Sequence, residues 1–406
     1  MTTTPHIQLH SASAPLNIAM VTETYPPEVN GVAITVARMV EGMRLRQHHV
    51  QLIRPRQHKL DVAAHDHGYA EILVAGMPLP GYAGLKAGLP ARGRLLRLWQ
   101  QNRPDVVHIA TEGPLGWSAM SAARKLGIPV ATDFHTNFHS YSKHYGAPWL
   151  FRPIAAYLRY FHNKTDCTMV PTTELQEELQ RKGYKNVDVV SRGVDTTLFH
   201  PSRRSTELRR QWGAADDTPV VMLVSRLAAE KNLHVVIHAF EQMRVVAPDA
   251  KLVMVGDGPA RAALQEQYPQ VIFAGMRTGE DLAAHYASGD VFLYPSLTET
   301  YGNVTVEAMA SGLAVLAYDY AAARQHIRHD INGLLAPFDD STAFIDQAVA
   351  LIGAPTRVQR LRAHARHSVE ALTWENIMAQ LESVLLRLVH AEGDNHVQTE
   401  LSAATD

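Results

Sequence analysis

Cysteine is almost missing from this sequence: among 406 residues there is one, Cys167, set in an apolar run. No disulfide can form within the chain, and a buried thiol in a reducing compartment is expected. Long hydrophobic runs are missing as well. No stretch approaches the roughly 18 apolar residues of a membrane span, and the opening Met-Thr-Thr-Thr-Pro-His has neither the basic start nor the apolar stretch of a signal peptide. The expectation is a cytoplasmic protein, soluble or peripheral at the inner face of the cytoplasmic membrane. Neither half carries Gly-x-Gly-x-x-Gly after its first strand, which disfavours a dinucleotide-binding module. A formal charge of −2 argues against nucleic acid as a partner.

Acidic residues are absent from 72 to 104, where Lys86, Arg92, Arg94, Arg97 and Arg103 alternate with Leu85, Leu89, Leu95, Leu96, Leu98 and Trp99. The stretch lies in a basic half: residues 1 to 200 hold 21 Lys and Arg against 15 Asp and Glu, and residues 201 to 406 hold 17 against 25. Such a stretch suits an anionic membrane surface. It suits equally a core-facing helix with a solvated basic edge. His65-Asp66-His67 could bind a metal, but no third cluster at zinc spacing accompanies it, and no metal site is assigned.

What is present is an ordinary globular composition, 46% hydrophobic and 19% charged, in a chain longer than one core usually supports. Short apolar runs alternate with helical patterns in both halves, which predicts an α/β protein of two doubly wound, Rossmann-like domains. Strands are expected at Leu16–Val21, Val50–Ile53, Asp105–Ile109, Ile128–Asp133, Cys167–Val170 and Val187–Val190. A second set follows at Val220–Val224, Leu252–Val255, Val271–Phe273, Val291–Tyr294 and Ala314–Tyr318. The expected division is a tail at 1–14, a first domain at 15–200, a second at 201–373, a last helix at 374–390 and a polar tail at 391–406.

The stretch Ser-Leu-Thr-Glu-Thr-Tyr-Gly-Asn-Val-Thr-Val-Glu-Ala-Met-Ala-Ser-Gly, residues 296 to 312, follows an apolar run and passes through Gly302 into a helical pattern. Peptide N–H groups of Gly302, Asn303 and Val304 would be unpaired there, and the helix dipole adds about half a positive charge, so an anion is the natural guest. Glu299 lies before this anion site and Glu307 about one turn into the helix. Each carboxylate can accept two hydrogen bonds from a vicinal diol. A sugar phosphate or nucleotide-sugar is the expected ligand.

Glu299 and Glu307 resemble the paired glutamates of the retaining glycosyltransferases of family 4. Arg226 and Lys231, in Val220-Val-Met-Leu-Val-Ser-Arg-Leu-Ala-Ala-Glu-Lys-Asn, are similar to that family's diphosphate-binding pair. Val253-Met-Val-Gly-Asp-Gly-Pro259 and Ile331-Asn-Gly333 follow in the family's order, and the resemblance spans roughly residues 16 to 385. It implies the GT-B fold: two domains facing across a cleft, the donor on the second, the acceptor on the first, and the last helix crossing back to the first. It implies that Gly31, in Asn30-Gly31 where most relatives have two glycines, faces the donor. It makes His135, in His135-Thr136, the active-site histidine and the aromatic-rich residues 134 to 145 an acceptor surface. In this reading His135, Arg226, Lys231 and Glu299 are catalytic, and Gly31, Gly302, Asn303, Val304 and Glu307 bind the donor.

The implied reaction is retaining transfer of a hexose from a nucleotide-sugar. No Asp-x-Asp occurs in the chain, so Arg226 and Lys231 would replace the divalent ion that such a motif holds elsewhere, and no cofactor is expected. The motifs look most like GDP-mannose-dependent α-mannosyltransferases and glycolipid synthases, with a lipid-linked or glycan acceptor. A UDP-sugar-dependent glucosyl- or glucuronosyltransferase making a glycolipid is the alternative. A nucleotide-sugar epimerase and a non-catalytic nucleotide-sugar-binding protein stand behind these.

Overall fold

The computed structural model describes residues 14–28, 30–78, 86–135 and 151–403. The chain forms two compact units, Met1–Thr132 with Val384–Asp406, and Asp133–Ser383.

In the first unit, β1 (Asn17–Val21), β2 (His49–Pro55), β3 (His65–Asp66), β4 (Tyr69–Val74), β7 (Val106–Ile109) and β8 (Val130–Asp133) lie in the order β8-β7-β1-β2-β4-β3. All pairs are parallel except β3 on β4. A separate hairpin joins β5 (Gly76–Pro78) and β6 (Lys86–Gly88). Parallel neighbours need crossovers, and helices Gly31–Leu45 and Pro114–Lys125 supply them between β1 and β2 and between β7 and β8. The first of these buries Ala33, Val36, Met39, Val40 and Met43, the three-and-four spacing of one helix face. From β1 the chain winds to one side through β2 and β4, then returns to β7 on the other. The switch point between β1 and β7 therefore opens at the loops after Val21 and Ile109.

The second unit holds a parallel pair, β9 (Cys167–Val170) and β10 (Val187–Val189), and a six-stranded parallel sheet. That sheet comprises β11 (Val220–Val224), β12 (Lys251–Val255), β13 (Ile272–Gly275), β14 (Val291–Tyr294), β15 (Ala314–Tyr318) and β16 (Leu334–Ala336) in the order β13-β12-β11-β14-β15-β16. Strands β11, β14 and β15 are buried at every position, so they are continuous apolar runs in sequence. The direction of winding reverses between β11 and β14, which pair at Val221–Val291 and Met222–Phe292. Ligands of open α/β sheets bind outside the carboxyl ends at such a point.

Residues 133–200, grouped by pattern with the first domain, fall in the second unit. Within that unit hydrogen bonds join these residues to residues 300–324. Thr300 Oγ1 donates to the His135 carbonyl at 2.6 Å and Tyr301 OH to the Arg192 carbonyl at 3.2 Å. Glu174 accepts from Ala321 N and pairs with Arg324. The helix expected to stop at 390 runs Trp374–Ala403, because residues 391–403 contain no proline to break it and polarity alone does not end a helix. Strands β3 to β6 and β16 had no expectation: they are short, and β4 was divided between a polar and a basic segment.

Candidate functional site

Arg226 follows β11, at the switch point of the second unit. Its loop is fixed from both sides: Ser225 N donates to Val255 O at 3.0 Å and Leu227 N to Asp257 O at 2.9 Å. This packing is why glycines stand opposite. A Cβ on Gly256 would lie 1.9 Å from the Ser225 carbonyl oxygen, and one on Gly258 2.4 Å from that of Leu227. Arg226 itself is exposed, and its guanidinium makes no hydrogen bond or ion pair among the described residues. A cation is thus held ready on a fixed backbone.

Lys231 and Glu299, 68 residues apart, meet as an ion pair in which each side chain is about 15% exposed. The same Glu299 oxygen accepts from Tyr294 OH at 2.5 Å and Ser296 Oγ at 2.7 Å, and Tyr320 OH donates to the Glu299 carbonyl at 2.7 Å. Burial opposes the charge on Glu299, but the Lys231 ammonium and these hydroxyls hold its pKa below the ordinary value. Burial likewise opposes the charge on Lys231; the Glu299 carboxylate outweighs it and raises the pKa. Both groups are ionised at neutral pH. The two residues expected to act separately on diphosphate and sugar form one electrostatic unit.

Gly302 is the N-cap of helix Asn303–Ala310 and adopts φ +94°, a left-handed conformation that a side chain would strain. The N–H groups of the first helical residues have no acceptor within the helix, and Gly302, Asn303 and Val304 are partly accessible. Glu307 lies one turn on, its Oε2 accepting from the buried Tyr286 OH at 3.0 Å. Burial pushes its pKa up to about 7.

His135 is held in the same unit. Its Nδ1 accepts from Arg192 Nη2 at 2.8 Å, its Nε2 lies 3.2 Å from Asp133 Oδ2, and its carbonyl is bound to Thr300, two residues before Gly302. His135, Glu299 and Gly302 are therefore neighbours along one set of contacts. Tyr294, Ser296, Tyr286, Arg192 and Tyr320 were not anticipated as site residues. Tyr294 reads as core in a strand; Ser296 stands three residues before Glu299 and could have been read with it, whereas no local spacing links Tyr286, Arg192 or Tyr320 to its partner.

Gly31 lies in the first unit, as the first residue of helix Gly31–Leu45, after Asn30 whose side chain caps Ala33 N at 2.8 Å. A Cβ at Gly31 would meet nothing within 4 Å, so packing does not demand the glycine; it leaves room. At that unit's switch point Glu23 Oε1 accepts from Leu115 N at 2.9 Å, and burial raises the Glu23 pKa to about 7. Of the expected acceptor surface, Phe134 packs against His162 and Tyr184, and residues 136–145 lie outside the described residues.

An exposed cation, a buried Lys–Glu pair and a helix N-terminus at one switch point can bind a phosphorylated sugar and stabilise a departing phosphate. Residues 29–198 match the family described as Glycosyltransferase Family 4, and residues 218–354 that described as Glycosyl transferases group 1. A GDP-mannose-dependent alpha-mannosyltransferase of Mycolicibacterium smegmatis is 36% identical over 381 residues, covering 92% of this chain and 98% of that one. The chain is a family 4 glycosyltransferase. This glycosyltransferase is also 28% identical to an alpha-monoglucosyldiacylglycerol synthase of Streptococcus pneumoniae over 75% of its length and 71% of the relative's. Sucrose-phosphate synthase from Thermosynechococcus elongatus, at 20% identity, shares the fold, with a TM-score of 0.75 over 93% of this chain and all of that one. The fold is GT-B.

Proposed function

We propose that this glycosyltransferase moves mannose from GDP-mannose to a lipid-linked or glycan acceptor, with retention and without a metal ion. The observation that carries the reading is the uncommitted Arg226 beside the Lys231–Glu299 pair's loop, at the switch point that also bears the Gly302 helix N-terminus. Two cations and a helix dipole supply the charge that a divalent ion would otherwise bring to a leaving diphosphate. Glu307 holds the ribose diol, Glu299 the sugar hydroxyls, and His135 the sugar. The name of the 36% identical relative supports mannose, and that of the 28% identical one supports a UDP-sugar alternative. A thermal-shift panel of GDP-mannose, UDP-glucose and UDP-glucuronate separates them. A ligand at 100 times its Kd stabilises by about 2.7 kcal/mol, so GDP-mannose is expected to raise the melting temperature alone. A shift with UDP-glucose and none with GDP-mannose would replace mannose by glucose.

The acceptor's lipid character bears on an anionic membrane surface as partner. No helix among the described residues is long and apolar enough to cross a membrane. Of the basic stretch, Arg92 donates to Ser121, Arg94 to the Leu73 carbonyl, Arg103 to the carbonyls of Leu126 and Gly127, and Lys86 to that of Arg56. Helix Arg92–Gln101 buries Leu95 and Trp99. Most of the stretch therefore serves the fold. What supports a membrane contact is Arg97, in a pocket of about 460 Å³ that Arg56 and Ala63 also line, together with Leu60 and Val62 in the segment just before Ala63, which are 85% and 81% exposed. Binding to phosphatidylglycerol vesicles in co-sedimentation is expected to fall in Arg97→Glu with Leu60→Asn, and to weaken with salt. Equal binding to neutral vesicles would leave the acceptor a soluble glycan.

A further inference from the structure

Arg192 is a costly residue. It is 4% exposed, and among the described residues no carboxylate lies within ion-pair distance and its Nη1 finds no acceptor. Burying a guanidinium this way disfavours its charged form. Its Nη2 is spent on one contact, His135 Nδ1 at 2.8 Å.

That contact has a direction. A guanidinium only donates, so Nδ1 must present its lone pair, and the neutral ring carries its hydrogen on Nε2. Nε2 lies 3.2 Å from Asp133 Oδ2, close enough to feel its charge but without a hydrogen bond between them. A neutral imidazole thus takes a hydrogen bond from a buried guanidinium on one side and faces a buried carboxylate on the other. Among the described residues the charged and titratable groups around Arg192 are Asp133, His135 and Tyr301, with His326 behind Tyr301, and burial lowers the His326 pKa to about 4, so it stays neutral. Arg192 is also tied down by its own carbonyl, which accepts from Tyr301 OH, while Thr300 Oγ1 holds the His135 carbonyl.

We infer that Arg192 is a positioning residue that fixes His135 as its Nε2-protonated tautomer and holds the ring against the loop of residues 299 to 302. It orients the imidazole, as the carboxylate partner of a catalytic histidine does elsewhere, but from the acceptor side of the ring. The consequence for transfer rests on the proposed role of His135; the tautomer does not.

The test uses the full chain with histidine labelled by ¹⁵N. The His135 ring signals, among those of 22 histidines, are identified by their loss in His135→Asn. Wild type is expected to show one protonated and one unprotonated ring nitrogen. Arg192→Met, which removes the donors without burying a charge, is expected to mix in the Nδ1-protonated form and lower kcat about tenfold or more, with the donor KM within about threefold. Arg192→Lys restores a donor and should recover part of both, which a general packing defect would not. An unchanged tautomer in Arg192→Met overturns the inference. If His135→Asn turns over like the wild type, the catalytic reading of His135 fails instead, and the NMR result stands separately.

Discussion

Arg226→Ala is expected to lower turnover by about 10²–10³-fold, the size of effect seen when one stabiliser of a developing negative charge is removed. Its exposed guanidinium makes no hydrogen bond or ion pair among the described residues, so stability should change by no more than about 0.5 kcal/mol. Lys231→Ala is expected to lower turnover comparably but also to destabilise, because Glu299 loses its counter-charge. The cost should stay below the roughly 3–5 kcal/mol of a fully buried broken pair, since Tyr294 and Ser296 still donate to that carboxylate. Steady-state kinetics beside thermal melts separate the two variants. EDTA should leave the wild type active. Loss of turnover on chelation, restored by Mg²⁺, would overturn the metal-free proposal.

Glu307→Ala should weaken binding of GDP by roughly 1.5–3 kcal/mol, the price of a charged hydrogen-bonding partner. The environment adds a pH dependence. Burial raises the Glu307 pKa to about 7, and the ionised carboxylate is the form that accepts from both hydroxyls of a diol. Affinity is therefore expected to improve as pH rises through about 7, and this dependence should vanish in Glu307→Ala. Stability of the free protein runs the other way. A carboxyl whose folded pKa lies above its ordinary 4.5 contributes stability that is present below 4.5 and lost as pH rises through about 7. Calorimetry with GDP at pH 6 and pH 8 checks both statements; unchanged affinity in Glu307→Ala would remove the residue from this role.

Much of the site was legible because its parts sit where a local pattern ends. The runs Val220–Val224, Val291–Tyr294 and Ala314–Tyr318 were read to the residue as strands. A fully buried parallel strand announces itself as an unbroken apolar run, and the loop after it is where ligands gather. Gly302 before a helix, with Glu299 and Glu307 around it, is likewise a contiguous stretch. The two-domain α/β architecture follows from the alternation of such runs with helical patterns.

What only the tertiary structure decided is which distant side chains share a charge. Lys231 and Glu299 meet across 68 residues, and His135 and Arg192 across 57. Thr300 and Tyr301 bind the carbonyls of His135 and Arg192, contacts that no spacing signals. Propensity and periodicity are local, so the sequence by itself determined the elements and the loops that carry the chemistry. Protonation states depend on burial and on neighbours from other elements. The pairing of Lys231 with Glu299, the raised pKa of Glu307 beneath Tyr286 and the tautomer of His135 were therefore set by folding alone.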